Sequence, residues 1–403
     1  MTSERPYRIL KIAPTSFFAD YGCHVRILEE ARILRQQGHR VTICTYNNGH
    51  DIDGLEIRRT LPLPFQKDVN IGSSRQKIAI DVFLAFTCLR AVWAVRPDVI
   101  HAHLHEGALL GWAAGLTRRV PVVFDFQGSL VSEMVDHRFL RRDGPFFQPM
   151  RRLEDTIDRL PRAIITSSHH AAHLLQCEFR CPADRIHVIP DCVNAEVFVP
   201  RWLVDQEAPV RALKAELGIP PHRQVVVYLG LLAEYQGTTL LLEAARHLIV
   251  AGGRDDLHFL IMGYPGEDYY RGLAVQMGLG AYTTFTGRIP YPAAPRYLAL
   301  GDVAVSPKIS DSEGSGKLLN YMAMGLPTVA FETPVSREFL GEHGVYAQVG
   351  NPVALAEAIS RVVDDPATAQ AQARALRARA ERDFTWAEAG RRIVQVYERV
   401  CRQ

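Results

Sequence analysis

The chain has 403 residues, of which 47% are hydrophobic, with 46 basic and 44 acidic side chains and a formal net charge of +2. That length exceeds what one typical core holds, so two domains are expected. The near balance of charge excludes a global polyelectrolyte partner such as nucleic acid. Seven cysteines (23, 44, 88, 177, 181, 192 and 401) are scattered and odd in number, which speaks for reduced thiols and a cytoplasmic setting. Residues 1–7 are polar and do not read as a secretory leader.

Residues 8–13 read as a short apolar strand, followed by a loop at 14–22 and a helix at about 24–37. Val25, Leu28, Ala31, Ile33 and Leu34 fall near helical spacing there. Gly38 and His39 end the helix, and a strand follows at 41–45. The most apolar long stretch, 78–95, is interrupted by Asp81 and Arg90, so it reads as a buried helix rather than a membrane span. Further strands at 98–103, 121–124 and 163–167 alternate with helical segments. This alternation predicts a parallel, doubly wound α/β sheet. His101, His103 and His105 alternate, so a strand would put all three on one face, with Glu106 following. The pattern partly matches a zinc-hydrolase signature, making a metal-dependent hydrolase a rival function. Its terminal ligands are missing, and His169, His170, Cys177 and Cys181 fit no standard spacing, so no metal is expected. Segment 138–162 is basic, with Phe139, Phe146, Phe147 and Met150 interleaved. It suggests a peripheral contact with an anionic membrane, although Asp143, Glu154, Asp155 and Asp158 dilute its charge.

Pro190, Pro200 and Pro209 mark the join between the halves. Beyond it come a strand at 224–230, a helix at 237–250 and strands at 258–263 and 283–286. The most informative segment follows: a strand at 303–305, a polar Gly-rich loop at 310–316, a helix from Lys317 to Gly325-Leu326-Pro327, and a strand at 328–331. Unpaired N–H groups and the helix dipole make that loop a natural anion site. Lys308, Glu313 and Lys317, with the small residues Gly314, Ser315 and Gly316, would let a phosphorylated ligand approach closely. Helices are expected at 354–363 and 367–382.

The run EGSGKLLNYMAMGLPTVA resembles the donor-site signature of family 4 glycosyltransferases, whose pattern is close to EGFGLxxLEAMAxGxPVVA. RILKIAPTSFF, DVIHAHLHEGALLG, VPVVFDFQGS, AIITSSHHAAHLL, RIHVIPDCVNAEVFVP, VVVYLGLLAEYQGTTLLLEAARHL and FTGRIP resemble further landmarks of that family in the same order. The resemblance implies the GT-B fold: two Rossmann-like doubly wound domains facing a central cleft. An acceptor-side domain would span 1–200, a donor domain 201–383, and a final helix at 384–403 would pack back on the first domain. It further implies retaining transfer of a sugar from a nucleotide-diphosphate sugar, with UDP or GDP as the base-bearing part. The acceptor would be a hydroxyl of a glycan, a lipid-linked molecule or a small molecule, with no bound cofactor.

Carried over by resemblance, Glu313 contacts the donor sugar near the reacting face, although strict register would put Ser312 there. Asn320 stands where the family has a second glutamate for the ribose. Gly230, Gly263 and Leu318 belong to the donor pocket, and the backbone at Arg288 and Ile289 meets the nucleobase. Leu231 and Gln236 replace an arginine and a lysine that bind the diphosphate, which leaves Lys308 and Lys317 as the candidate cations. On the acceptor side, Gly22 and Cys23 follow Tyr21 in the Gly-Gly loop, His103 is a cleft residue, Asp125 lies at a strand end, and Gln127 takes the place of a histidine. These departures keep open a second alternative, a GT-B nucleotide-sugar epimerase or a non-catalytic nucleotide-sugar-binding protein.

Overall fold

The computed structural model describes residues 5–19, 22–62, 75–137, 139–310 and 314–402. Glu313, Ser312, Tyr21 and Arg138 lie outside the described residues. The chain forms two compact units, one chiefly Met1–Pro190 with Trp386–Gln403, the other chiefly Asp191–Asp311 with Ser315–Thr385.

Among the described residues the first unit holds seven strands: β1 (Arg8–Ala13), β2 (Arg40–Thr45), β3 (Glu56–Arg59), β4 (Val99–His103), β5 (Val122–Phe126), β6 (Ala163–Thr166) and β7 (Ile186–Val188). All pair in parallel, in the order β3-β2-β1-β4-β5-β6-β7. The strand order reverses between β1 and β4, and in such sheets ligands bind at the carboxyl ends beside that point. Leu10, Ile12, Ile100, Ala102 and Phe124 on one face and Ile9, Ile43, Val99 and Val123 on the other are covered, as a sheet with helices on both faces requires. Buried acidic and basic side chains break the apolar pattern at Lys11, His101, His103 and Asp125. The register sets Lys11 opposite His101 and His103 opposite Asp125, so all four lie on one face.

The second unit repeats the design with β8 (Gln224–Leu229), β9 (Leu257–Met262), β10 (Thr283–Phe285), β11 (Val303–Ser306), β12 (Thr328–Phe331) and β13 (Val345–Ala347). Their order is β10-β9-β8-β11-β12-β13, again all parallel, with the reversal between β8 and β11. Separate apolar layers, one including Phe259, Phe331 and Leu355 and the other Leu260, Met322 and Phe339, cover this sheet. Helix starts are fixed locally. Asn351 accepts from the N–H groups of Val353 and Ala354, and Asp365 accepts from that of Thr368; a proline opens each helix.

Two sequence expectations change. The apolar stretch 78–95 is helical, as Arg75–Val95, but not buried on all sides. Leu84, Cys88, Ala91 and Val92 face the core, while Val82, Phe86 and Trp93 stay more than half exposed. Arg90 lies over the Phe86 ring at 5.9 Å and Arg118 over the Trp93 ring at 4.8 Å, so cations shield this face. No described helix is long and apolar enough to cross a membrane. The second change concerns His105. β4 stops at His103, Leu104 turns the chain with φ 61°, and His105 sits in the first turn of helix Leu104–Leu116. The three histidines therefore do not share a strand face.

His258 in β9 gives a pH prediction. Burial, aided by Arg223 and Lys214, pulls its imidazole down to about 4, and its Nε2 lies 2.8 Å from Thr284 Oγ1. The unfolded chain takes up this proton near pH 6.5 but the folded chain does not until about pH 4. Stability from this group is therefore present above pH 6.5 and is lost as pH falls toward 4. Thermal melts at pH 7 and pH 5 should show a smaller acid-induced drop in His258→Gln than in the parent. An equal drop in both would refute the assignment.

Candidate functional site

In the second unit, the residues singled out from sequence collect at the carboxyl ends of β8, β9, β10 and β11. Gly230 follows β8 at φ 155°, where a Cβ would press on Lys317 Nζ. Gly263 follows β9, and a Cβ there would overlap the Gly230 carbonyl oxygen. Only glycines let these strand ends approach so closely. Gln236 is buried in the turn Glu234–Gln236, and its Oε1 accepts a hydrogen bond from Lys317 Nζ at 2.8 Å. The same ammonium lies 3.4 Å from the Tyr228 hydroxyl and 4.6 Å from the Tyr228 ring centre. Lys317 occupies the first turn of helix Gly316–Ala323, where the dipole disfavours a cation. Gln236 and the ring offset that cost and aim the ammonium back at the ends of β8 and β9. Tyr321, on the same helix, accepts from the Leu229 N–H at 2.7 Å and so locks the helix to β8.

The other donor-side candidates are spread along this edge. Lys308 is buried two residues past β11, and the following N–H groups of Ile309 and Ser310 donate to Tyr235 O at 3.0 and 3.3 Å. Arg288 is exposed and lies over the Tyr264 ring at 5.4 Å, with half-buried Ile289 beside it. Ser315 precedes the helix with its hydroxyl buried and unpaired, and makes no capping bond. Gly314 and Asn320 are half-buried, Gly316 is exposed, and Leu318 belongs to the apolar layer under the helix.

In the first unit, the polar residues of β1, β4 and β5 meet helix Gly22–Gln36. Lys11 Nζ donates to Glu30 Oε2 at 2.5 Å and lies 3.1 Å from His103 Nε2. His103 Nδ1 then donates to Asp125 Oδ2 at 2.8 Å, which fixes the tautomer. Arg26 Nε lies 2.9 Å from Asp125 Oδ2 and 3.2 Å from Glu30 Oε1, and its Nη2 donates to Ile189 O at 3.2 Å. Gln127 Nε2 donates to Asp125 Oδ2 at 3.2 Å. His101 stacks on His103 at 4.7 Å and its Nδ1 lies 2.6 Å from the Tyr397 hydroxyl of helix Trp386–Arg402. Burial opposes ionisation of Asp125, but Arg26 and His103 hold it well below the usual carboxylate range. Burial, reinforced by Lys11, holds His101 and His103 below the usual imidazole range. Two cations thus face two anions, with neutral imidazoles between them. A cation already stands where a zinc-hydrolase reading would place its metal, and two parallel sheets are the wrong fold for that reading.

The acceptor-side candidates divide. His103, Asp125 and Gln127 are brought together by this network. Gly22 and Cys23 open the adjacent helix, and among the described residues a Cβ on Gly22 would meet nothing within 4 Å. Sequence reasoning missed Lys11, Arg26, Glu30, Tyr228 and Tyr397. The available signals were a lysine inside an apolar strand and a charged pair four residues apart on an otherwise apolar helix.

Comparisons with known proteins agree with this architecture. A Glycosyltransferase Family 4 profile matches residues 22–197, and a Glycosyl transferases group 1 profile matches residues 223–365. D-inositol 3-phosphate glycosyltransferase of Corynebacterium diphtheriae is 25% identical, over 93% of this chain and 89% of its own. 2-Deoxystreptamine glucosyltransferase of Streptomyces kanamyceticus is 26% identical, over 93% of this chain and 98% of its own. Among solved structures, sucrose-phosphate synthase from Thermosynechococcus elongatus superposes with a TM-score of 0.80 at 19% identity, covering 98% of both chains. Anabaena HepE in complex with UDP-glucose gives 0.77 at 16% identity, covering 98% of this chain and all of the other. Two parallel-sheet units of this kind, matched along their length by these profiles, define a sugar-transferring enzyme. The chain belongs to the family 4 glycosyltransferases of the GT-B fold.

Removing one member of the buried charge network should be costly. Arg26→Met leaves Asp125 and Glu30 short of a cation and is expected to destabilise the protein by about 3–5 kcal/mol. Arg32→Ala breaks only the partly exposed pair with Glu29 and should cost about 1 kcal/mol or less. Denaturant melts of both variants check the contrast, and a similar loss in the two would contradict it.

Proposed function

We propose that the enzyme moves a sugar, with retention at the anomeric carbon, from a nucleotide-diphosphate sugar to a hydroxyl of a small cyclic polyol. The observation that carries the donor half is the Lys317 ammonium, held by Gln236 and Tyr228 beside the glycine-lined ends of β8 and β9. A diphosphate leaving group gains negative charge in the transition state, and a preorganised cation with adjacent backbone N–H groups stabilises it there. In this reading Lys317 and the N-terminal backbone around Ser315 and Gly316 receive the diphosphate, aided by Lys308. Arg288 and Ile289 meet the base, Asn320 the ribose, and Glu313 the sugar. The leaving phosphate takes the acceptor's proton, so no side-chain base is required on the acceptor side. Asp125, tied up by Arg26 and His103, orients Gln127 and His103 instead. UDP is the favoured nucleotide, since a structurally similar protein was solved with UDP-glucose. Two relatives named for an inositol phosphate and for 2-deoxystreptamine both act on hydroxylated six-membered carbocycles, which supports that acceptor class. A nucleotide-sugar substrate also suits a cytoplasmic location.

The test is a thermal-shift screen against UDP, GDP, ADP and their sugar conjugates, followed by transfer assays with cyclitol acceptors. UDP or UDP-sugar should raise the midpoint, and Lys317→Ala should lower kcat/KM about 100-fold or more while the melting temperature moves only a few degrees. Near-normal turnover in that variant would remove Lys317 from the site. Nucleotide-sugar binding with no transfer to any acceptor would favour an epimerase or a binding protein instead.

Peripheral membrane contact through 138–162 remains part of this proposal. Around helix Phe147–Arg159, Phe139, Phe146 and Leu153 are exposed. Flotation with anionic vesicles should carry the protein upward, and less so after Phe146→Ser. Absence of flotation would discard the contact.

A further inference from the structure

The turn at Leu104 that takes His105 off β4 delivers it to a second buried polar cluster. His105 Nε2 lies 3.2 Å from Asp158 Oδ1 and 3.6 Å from Glu154 Oε1, and all three side chains are almost fully covered. Asp158 and Glu154 are one turn apart on helix Phe147–Arg159, and His105 packs edge-on against Phe124 and Phe126. Glu154 is anchored by the N–H groups of Leu130 and Val131 at 2.8 and 3.1 Å. By contrast, Asp158 Oδ2 is buried and makes no hydrogen bond, while His105 Nε2 and Asp158 Oδ1 face each other as an ion pair at 3.2 Å. Buried polar groups in folded proteins are almost always satisfied, so a bare carboxylate oxygen beside a buried histidine and a second buried carboxylate leaves a place for a further partner.

We infer that His105, Glu154 and Asp158 form a buried divalent-cation site, with zinc as the ion its chemistry suits. Zinc holds imidazole nitrogen and carboxylate oxygen at about 2.0–2.2 Å, and a tetrahedral arrangement then separates ligand atoms by about 3.3–3.6 Å. The observed 3.2 and 3.6 Å from His105 Nε2 lie close to that spacing, so small side-chain shifts would complete it. Charge balance points the same way. An imidazolium between two carboxylates leaves a net negative charge in an apolar shell, whereas a dication with neutral histidine and two carboxylates is balanced. An imidazole ligand and little room for a hydration shell favour zinc over magnesium or calcium. The first unit's other group of ligand-type residues, Glu30, His101, His103 and Asp125, differs because the Lys11 ammonium already lies against Glu30 and His103. The zinc is structural: it clamps the start of helix Leu104–Leu116 to helix Phe147–Arg159 and, through Glu154, to Leu130 and Val131.

The experiment uses untagged full-length protein expressed with added zinc and purified without chelators, its metal content read by inductively coupled plasma mass spectrometry. One zinc per chain is expected, with loss in Asp158→Asn and retention in Glu106→Gln, whose parent carboxylate pairs with Lys77. His105→Gln should lose it too; if that variant does not fold, stripping and cobalt reconstitution of the parent supply a second reading, a tetrahedral cobalt absorption spectrum. Metal removal should lower the melting temperature, and zinc should restore it. Zinc-free parent with a doubly protonated His105 ring by NMR would overturn the site in favour of a plain ion pair. Zinc lost in His103→Gln but kept in Asp158→Asn would also overturn it, by placing the ion in the other cluster. Neither outcome touches the donor-site reading, which rests on residues of the other unit.

Discussion

The first unit is organised around one constraint: a lysine in the middle of its central strand. Lys11 is fully buried on β1, and an isolated ammonium there would be untenable. Its charge is met by Glu30, whose helix also carries Arg26, and Arg26 in turn meets Asp125 on β5. The network closes only if β1, β4 and β5 hold their register and helix Gly22–Gln36 lies across them. It also reaches outward. Arg26 grips the carbonyl of Ile189, and His101 contacts Tyr397 of helix Trp386–Arg402. A cluster of this kind contributes less to net stability than an apolar core of equal volume would, because desolvating the ions offsets their attraction. What it supplies is definition: His103 has a fixed tautomer, and Gln127 is tethered at the strand end.

The second unit reaches the same topological point by other means. Its two central strands, β8 and β11, carry no buried charge, and the carboxyl ends are shaped by glycines and tyrosines. Gly230 and Gly263 admit close backbone approach, Tyr321 ties the helix to β8, and Tyr228 supports Lys317 with its ring. Fixed ions define the first edge, whereas the second presents an oriented ammonium in the first turn of a helix. Such an edge is suited to a ligand that brings its own negative charge.

Much of this was legible in the chain itself. The alternation of short buried strands with helices identified two parallel sheets, and the 303–331 segment identified the strand, helix and strand that the structure shows there. The short strands β3, β7 and β13 were not legible. They have three or four residues each, too few for a periodic signal, and exist because a neighbouring strand offers its edge. His105 was misplaced because the left-handed turn at Leu104 has no glycine to announce it. Lys11 read as one polar residue in an apolar strand, and Arg26 with Glu30 read as part of an ordinary helix. Their partners lie up to 163 positions away, so only the fold makes them one cluster. The 81-residue link between Gln236 and Lys317 was beyond sequence reading for the same reason, although both residues had been singled out.

That link gives physical sense to the departures at the donor edge. In the family pattern two cations stand at the positions of Leu231 and Gln236, and a third at 317 would then face strong repulsion. Here the chain has a leucine and an amide instead. The amide oxygen of Gln236 is a neutral acceptor, so it can orient an ammonium without neutralising it. A carboxylate at 236 would have held Lys317 more tightly but cancelled its charge toward any ligand. On the proposed reading, the replacement of Lys by Gln at 236 and the presence of Lys at 317 form a single exchange. The cation moves from the turn after β8 to the first turn of the facing helix, and the residue that gave up the charge becomes its holder.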